Sequence, residues 1–156
     1  MFNPKEVLDI AIRIEKNGEA VYRSAIQQVS DNDLKETLQW MADEETQHIE
    51  FFTLLKNTVQ TTPGIIADEL SGDMLKGLIG DQSFSLKDVD FSQVRDVDAL
   101  IHIFIEFEND GIIFYEMLKP FVKNQDTLDH LQKIIDEENR HIQKLESFVN
   151  AETAAS

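Results

Sequence analysis

Cysteine is absent from all 156 residues. That absence removes disulfides, thiolate metal sites, iron–sulfur clusters and a cysteine nucleophile together, and it fits a reducing, cytoplasmic setting. Long apolar runs are also missing: none approaches the roughly 20 residues that a membrane span needs. The opening Met1-Phe2-Asn3-Pro4-Lys5-Glu6 has no apolar signal core, so no export is expected. Positive charge is scarce, with 14 Lys and Arg against 30 Asp and Glu and a net charge of −16. Such a chain repels phosphate backbones and anionic lipid, which argues against nucleic acid and membrane partners. Acidity suits a cation binder, and most of the acids are expected on a solvated surface. The apolar fraction of 42% is ordinary and the length is that of one domain with a single sizeable core.

What the chain does have is a repeat. Glu45-Thr46-Gln47-His48 returns as Glu138-Asn139-Arg140-His141, 93 residues later, and the same offset carries Glu15 onto Glu108, Gly18 onto Gly111 and Tyr22 onto Tyr115. Residues three apart share one face of a helix, so each Glu-x-x-His can aim a carboxylate and an imidazole at one point. The spacing around them is helical. Leu8, Ala11, Glu15, Gly18, Tyr22, Ala25 and Val29 form one inward stripe, and Leu34, Leu38, Met41, Glu45, His48, Phe52, Leu55 and Val59 a second. A third stripe holds Ile101, Phe104, Glu108, Gly111, Tyr115, Leu118 and Val122; a fourth holds Leu131, Ile134, Glu138, His141, Leu145 and Phe148.

These patterns predict an all-α, antiparallel four-helix bundle over residues 1–149, made of a hairpin at about 4–59, a crossover at 60–95 and a second hairpin at about 96–149. Asn3-Pro4 caps the first helix, and Ser30-Asp31-Asn32-Asp33 and Lys123-Asn124-Gln125-Asp126 are the short turns. Thr61-Thr62-Pro63-Gly64 stops the second helix, a weak helical piece is expected over Ile65 to Ile79, and Pro120 kinks or ends the third helix. A connection this long makes sense as a crossover running the length of the bundle. Residues 150–156 read as a disordered, frayed tail.

Carboxylates on inward stripes need an explanation. A buried, unpartnered glutamate is neutralised or costs several kcal/mol, and four at one level repel one another. No lysine or arginine lies on any stripe. Two divalent cations cancel four carboxylates, and each takes one imidazole. Glu15, Glu45, His48, Glu108, Glu138 and His141 are therefore the candidate metal ligands, an oxygen and nitrogen set that suits iron, manganese or zinc. Tyr22 and Tyr115 either donate to ligand carboxylates across the bundle or are core aromatics. Mid-helix glycine costs about 1 kcal/mol against alanine. Gly18 and Gly111 therefore either open space beside the metals for oxygen or peroxide, or mark a close helix approach. Asp43 and Glu44 fall off the stripe and read as acids just behind the ligands or on the surface. Glu19 is an extra carboxylate near the site or a solvated one. Glu106, Asp110 and Arg140 point away, and His102 and His130 are not ligands.

With these residues in place, the chain resembles the ferritin-like superfamily and in particular its rubrerythrin-type diiron branch. The signature is a Glu from each of two helices, here Glu15 and Glu108, and Glu-x-x-His from each of the other two, here Glu45/His48 and Glu138/His141. The segments Ile14 to Tyr22 and Asp43 to His48 carry the likeness, which extends to Val149. The resemblance implies a cofactor of two iron ions and reduction of hydrogen peroxide or oxygen. Rubrerythrins proper add a cysteine-rich iron domain that delivers electrons; its absence implies a separate donor protein. They also carry a further glutamate one turn after the third-helix ligand, where this chain has Gly111. A ferroxidase feeding iron storage, a metal-stabilised scaffold without catalysis, and oxidation of an organic substrate are the rival uses of such a site. The resemblance also implies a homodimer, for which Ile12, Phe51, Ile103 and Phe114 are spare outward apolar residues.

Overall fold

The computed structural model describes residues 3–67 and 96–155, with side chains through residue 149. Four long helices fill these segments: α1 (Pro4–Ile26), α2 (Asn32–Thr61), α3 (Val97–Leu118) and α4 (Gln125–Ala155). Each begins on a side-chain cap. Asn3 Oδ1 accepts from Glu6 N–H at 2.9 Å while Glu6 accepts from Asn3 N–H at 3.0 Å, a reciprocal pair that satisfies two otherwise orphaned donors. Asp31 and Asn124, which are repeat equivalents, open α2 and α4 by accepting from Leu34 N–H and Thr127 N–H, both at 3.0 Å. Asp96 opens α3. No described helix is long and apolar enough to cross a membrane.

The four helices form one bundle, α1 packing along α2 and α3 along α4, with α2 also meeting α4. The core is one continuous cluster running from Val7 and Leu8 through Leu38, Met41 and Phe52 to Phe104, Ile134 and Leu145. Apolar side chains fill the stripes above and below one layer, and that layer is polar.

Three expectations need correction. The tail does not end in disorder at 150, because α4 continues to Ala155; Ala151, Glu152, Ala154 and Ala155 are strong helix formers that let the last turns run on. Ile65 and Ile66 do not start a helix. Ile66 pairs as an isolated antiparallel bridge with Val122, with Ala67 N–H donating to Phe121 O at 2.8 Å and Lys123 N–H to Ile65 O at 2.7 Å. The pairing follows because Lys119–Phe121 is a single tight 3-10 turn around Pro120 that leaves extended backbone behind it. The rest of the expected piece, and the crossover from 68 to 95, lie outside the described residues. Phe114 is no outward apolar residue: it is fully buried, edge-on to Tyr115. Ile12, Phe51 and Ile103 are partly buried.

Candidate metal centre

The polar layer is made by the six side chains that the repeat singles out. Glu15 comes from α1, Glu45 and His48 from α2, Glu108 from α3, and Glu138 and His141 from α4; all are at most 3% exposed. Their donor atoms fall into two groups, Glu15, Glu45, His48 and Glu138 in one and Glu45, Glu108, Glu138 and His141 in the other, each within a span of 4.8 Å. Glu45 and Glu138 belong to both. Two middle carboxylates are thus shared, and each group adds one outer glutamate and one imidazole.

The histidines are held from behind. His48 Nε2 meets Glu137 Oε2 at 2.7 Å and His141 Nε2 meets Glu44 Oε1 at 2.8 Å. A carboxylate can only accept here, so Nε2 carries the proton in each ring and Nδ1 is turned inward. This is the arrangement that fixes tautomer and ring angle in metal-binding histidines. The two supports are exchanged: α2 supplies the glutamate behind the α4 histidine, and α4 the one behind the α2 histidine. Glu44 and Glu137 are also 93 residues apart, each directly before a ligand candidate in Asp-Glu-Glu-x-x-His. Of the two places open to Glu44, behind the ligands or on the surface, the structure shows the first; Glu137, its repeat equivalent, was passed over.

The tyrosines obey the same exchange. Tyr22 of α1 donates to Glu108 Oε1 of α3, and Tyr115 of α3 donates to Glu15 Oε1 of α1, each at 2.5 Å. Burial, then the nearby carboxylate charge, pushes both phenols well above their usual range, so they stay protonated donors.

Gly18 and Gly111 do different work. A Cβ on Gly18 would lie 3.0 Å from Phe107 Cε1 and 3.6 Å from Glu45 Oε2, so this position is a close helix approach and offers no open space. A Cβ on Gly111 would meet only Ile14 Cγ2, at 3.8 Å. Phe107 and Ile14 are themselves repeat equivalents, and the larger ring closes one side. Glu19 is neither a further donor nor freely solvated: it accepts from Thr46 Oγ1 at 2.5 Å and pairs with Arg23 at 3.6 Å. His102, Glu106 and Arg140 are exposed, and exposed His130 stacks on Phe51 at 3.9 Å and belongs to neither donor group.

Without cations the layer is electrostatically unfinished. Burial works against charging either imidazole, but Glu15, Glu137 and Glu138 around His48 outweigh it and push that ring up to about 12. Glu138 and Glu44 push His141 up to about 9. Glu138 is drawn down to about 2 by the two imidazoles despite its burial, whereas burial and the charge of Glu138 push Glu15 up. Protons on the histidines therefore stand in for missing positive charge. They do so incompletely. Glu45 Oε1 and His141 Nδ1 are buried with no hydrogen-bond partner, and His141 Nδ1 lies 3.4 to 3.5 Å from three carboxylates at once. Buried polar atoms are rarely left this way. Orphaned oxygen and nitrogen atoms aimed at shared points, with four carboxylates to two imidazoles, fit a pair of divalent cations.

The comparisons with known proteins agree with this geometry. The family model for rubrerythrin matches residues 6–149. Among solved structures, a Thermotoga maritima protein provisionally described as a ferritin-like diiron-carboxylate protein is similar with a TM-score of 0.67, at 25% identity, covering 94% of this chain and 93% of that one. No curated protein matches the sequence. With the family model spanning all four helices and the two Glu-x-x-His motifs, the chain belongs to the rubrerythrin family of ferritin-like proteins.

Proposed function

We propose that the chain is a diiron redox protein that reduces hydrogen peroxide or oxygen with electrons from a separate donor. The observation that carries this reading is the sharing of Glu45 and Glu138 between two buried donor groups, which fits two ions side by side better than one. Glu15 and His48 would complete the set for one ion, and Glu108 and His141 for the other. Two bound iron ions supply a pair of electrons and an orienting template for a small oxidant.

The protein's own residues do the rest. Tyr22 and Tyr115 each fix one oxygen of Glu108 and Glu15 by donating to it, and the other oxygen of Glu15 faces His48 Nδ1 at 3.3 Å. Glu137 and Glu44 keep Nδ1 of each histidine inward and absorb the positive charge that builds on the ring. Phe52 stacks on Tyr115 and Phe104 meets Tyr22 edge-on; both phenylalanines are fully buried and keep bulk water out of the layer. Phe107 presses on the Gly18 side of the centre, whereas on the Gly111 side an added Cβ would make only an ordinary contact with Ile14. Two protons and two electrons convert one peroxide to two waters, and the electrons come from outside because among the described residues no side chain can store them.

Protein loaded anaerobically with two ferrous ions per chain and mixed with one equivalent of peroxide should show a rapid near-ultraviolet absorption rise. No rise at full iron occupancy would remove the reading. Redox-inert metal in protein made without added metal would favour the scaffold, and a solution mass far above a dimer would favour iron storage.

A further inference from the structure

Trp40 is the one tryptophan of the chain, and it stands where the interior meets the surface of α2. On its inner side the indole lies edge-on to the His141 ring, with centroids 4.9 Å apart at 83°. Its Nε1–H donates to Glu44 Oε2 at 3.2 Å, and Glu44 Oε1 accepts from His141 Nε2 at 2.8 Å. One carboxylate thus joins the indole to the imidazole, whose other nitrogen faces the buried glutamates. On its outer side Trp40 lines a surface groove of about 550 Å³, together with Asp31, Asp33, Glu36, Lys144 and Phe148. Three carboxylates against one ammonium make the groove acidic.

The other half of the repeat has no counterpart. Trp40 corresponds to Lys133, which is 67% exposed and lies 3.8 Å from Glu137 Oε1. Both outer glutamates are thus steadied from one turn earlier in their own helix, but only one of them by a π system that reaches a groove. Steadying a carboxylate does not require an indole, since a lysine does it on the other side.

We propose that Trp40 is the bridge by which electrons pass from a positively charged one-electron carrier, seated in this groove, through Glu44 and His141 to the buried centre. The inference rests on the redox reading above. The indole conducts without changing oxidation state. Each carrier gives up one electron, and two transfers replace the pair that one peroxide takes up with two protons in becoming two waters. The acidic groove draws a cationic carrier in and raises its encounter rate.

The test has two arms. In the metal-free protein, Trp40 emission reports on the groove directly. The methyl viologen dication should quench it far better than neutral acrylamide, and added salt should remove the advantage. The double variant Asp33→Lys/Glu36→Lys should weaken viologen quenching about tenfold at low salt. Equal quenching in the variant overturns the groove assignment. In oxidised protein holding two irons per chain, reduction by the methyl viologen cation radical should slow several-fold in Trp40→Phe, with iron content and ferric absorption kept. An unchanged rate overturns the bridge. Loss of iron from Trp40→Phe overturns it too, by showing the indole to be a brace for Glu44. Wild-type protein that viologen cannot reduce at all is a different result: it removes the redox reading, while the quenching arm still judges the groove.

Discussion

His48 and His141 each use both ring nitrogens, Nε2 outward to a glutamate and Nδ1 inward to several, and this fixes how the metal-free protein responds to pH. Both rings titrate above their ordinary 6.5, at about 12 and about 9. A raised group stabilises the fold fully below its unfolded value and loses that contribution as pH climbs toward the folded one. The melting temperature of metal-free protein should therefore fall between pH 6.5 and 9, while protein holding its ions should show a much flatter profile. Divalent ions must displace the imidazole protons, so calorimetry at pH 7 in buffers of different ionisation enthalpy should count about two protons released per chain on filling the centre. A count near zero would mean that the rings are already neutral. The glycines give a second residue-scale prediction. Gly18→Ala should destabilise, because its Cβ would press on the buried, stiff Phe107 ring at 3.0 Å. Gly111→Ala has ordinary clearance from Ile14 and should gain up to about 1 kcal/mol of helix propensity in a denaturant melt. The six inward donors were legible because charge on an apolar stripe is conspicuous. Glu137 was not, and Glu44 only as one of two alternatives, because stripe position alone cannot show that a long side chain reaches across to another helix.

At the scale of elements, periodicity located the helices well, since Glu15, Glu45, Glu108 and Glu138 each had to share a face with apolar neighbours. It did not foresee the short bridge at Ile66. Local pattern favours helix there, and the pairing with Val122 depends on a turn some 56 residues away in the chain. That bridge ties the exit of α2 to the α3–α4 turn at one end of the bundle. Ile66 is 2% exposed, so Ile66→Ala should cost about 2–4 kcal/mol in chemical denaturation. Leu54→Ala, on the α2 surface and 67% exposed, should stay within about 0.5 kcal/mol. Comparable losses at the two sites would show that the bridge segment packs far more loosely than its burial indicates. The continuation of α4 to Ala155 was hidden for the opposite reason: an alanine-rich end carries no apolar stripe, and propensity alone extends it.

At the scale of the whole molecule, all four helices send donors to one layer, so ions held there would bind the folded chain and not the unfolded one. Removing them with a chelator should lower thermal stability by about 2.7 kcal/mol, when the metal had been present at a hundredfold over its dissociation constant; matched differential scanning measurements with and without chelator would read it. An unchanged transition would mean that the layer holds no ions under those conditions. The net charge of −16 adds self-repulsion that such ions would partly relieve. The reciprocal holds of Glu44 on His141, Glu137 on His48, Tyr22 on Glu108 and Tyr115 on Glu15 bear on ancestry. Each is a debt owed by one half of the chain to the other, and every debt is returned in kind. A lone helical pair that met its own twin across a twofold axis would satisfy the same terms, with a full donor set split evenly between identical partners. The present polypeptide has the form such a self-paired hairpin would take with its two copies joined in tandem, and Trp40 opposite Lys133 is one place where the copies differ.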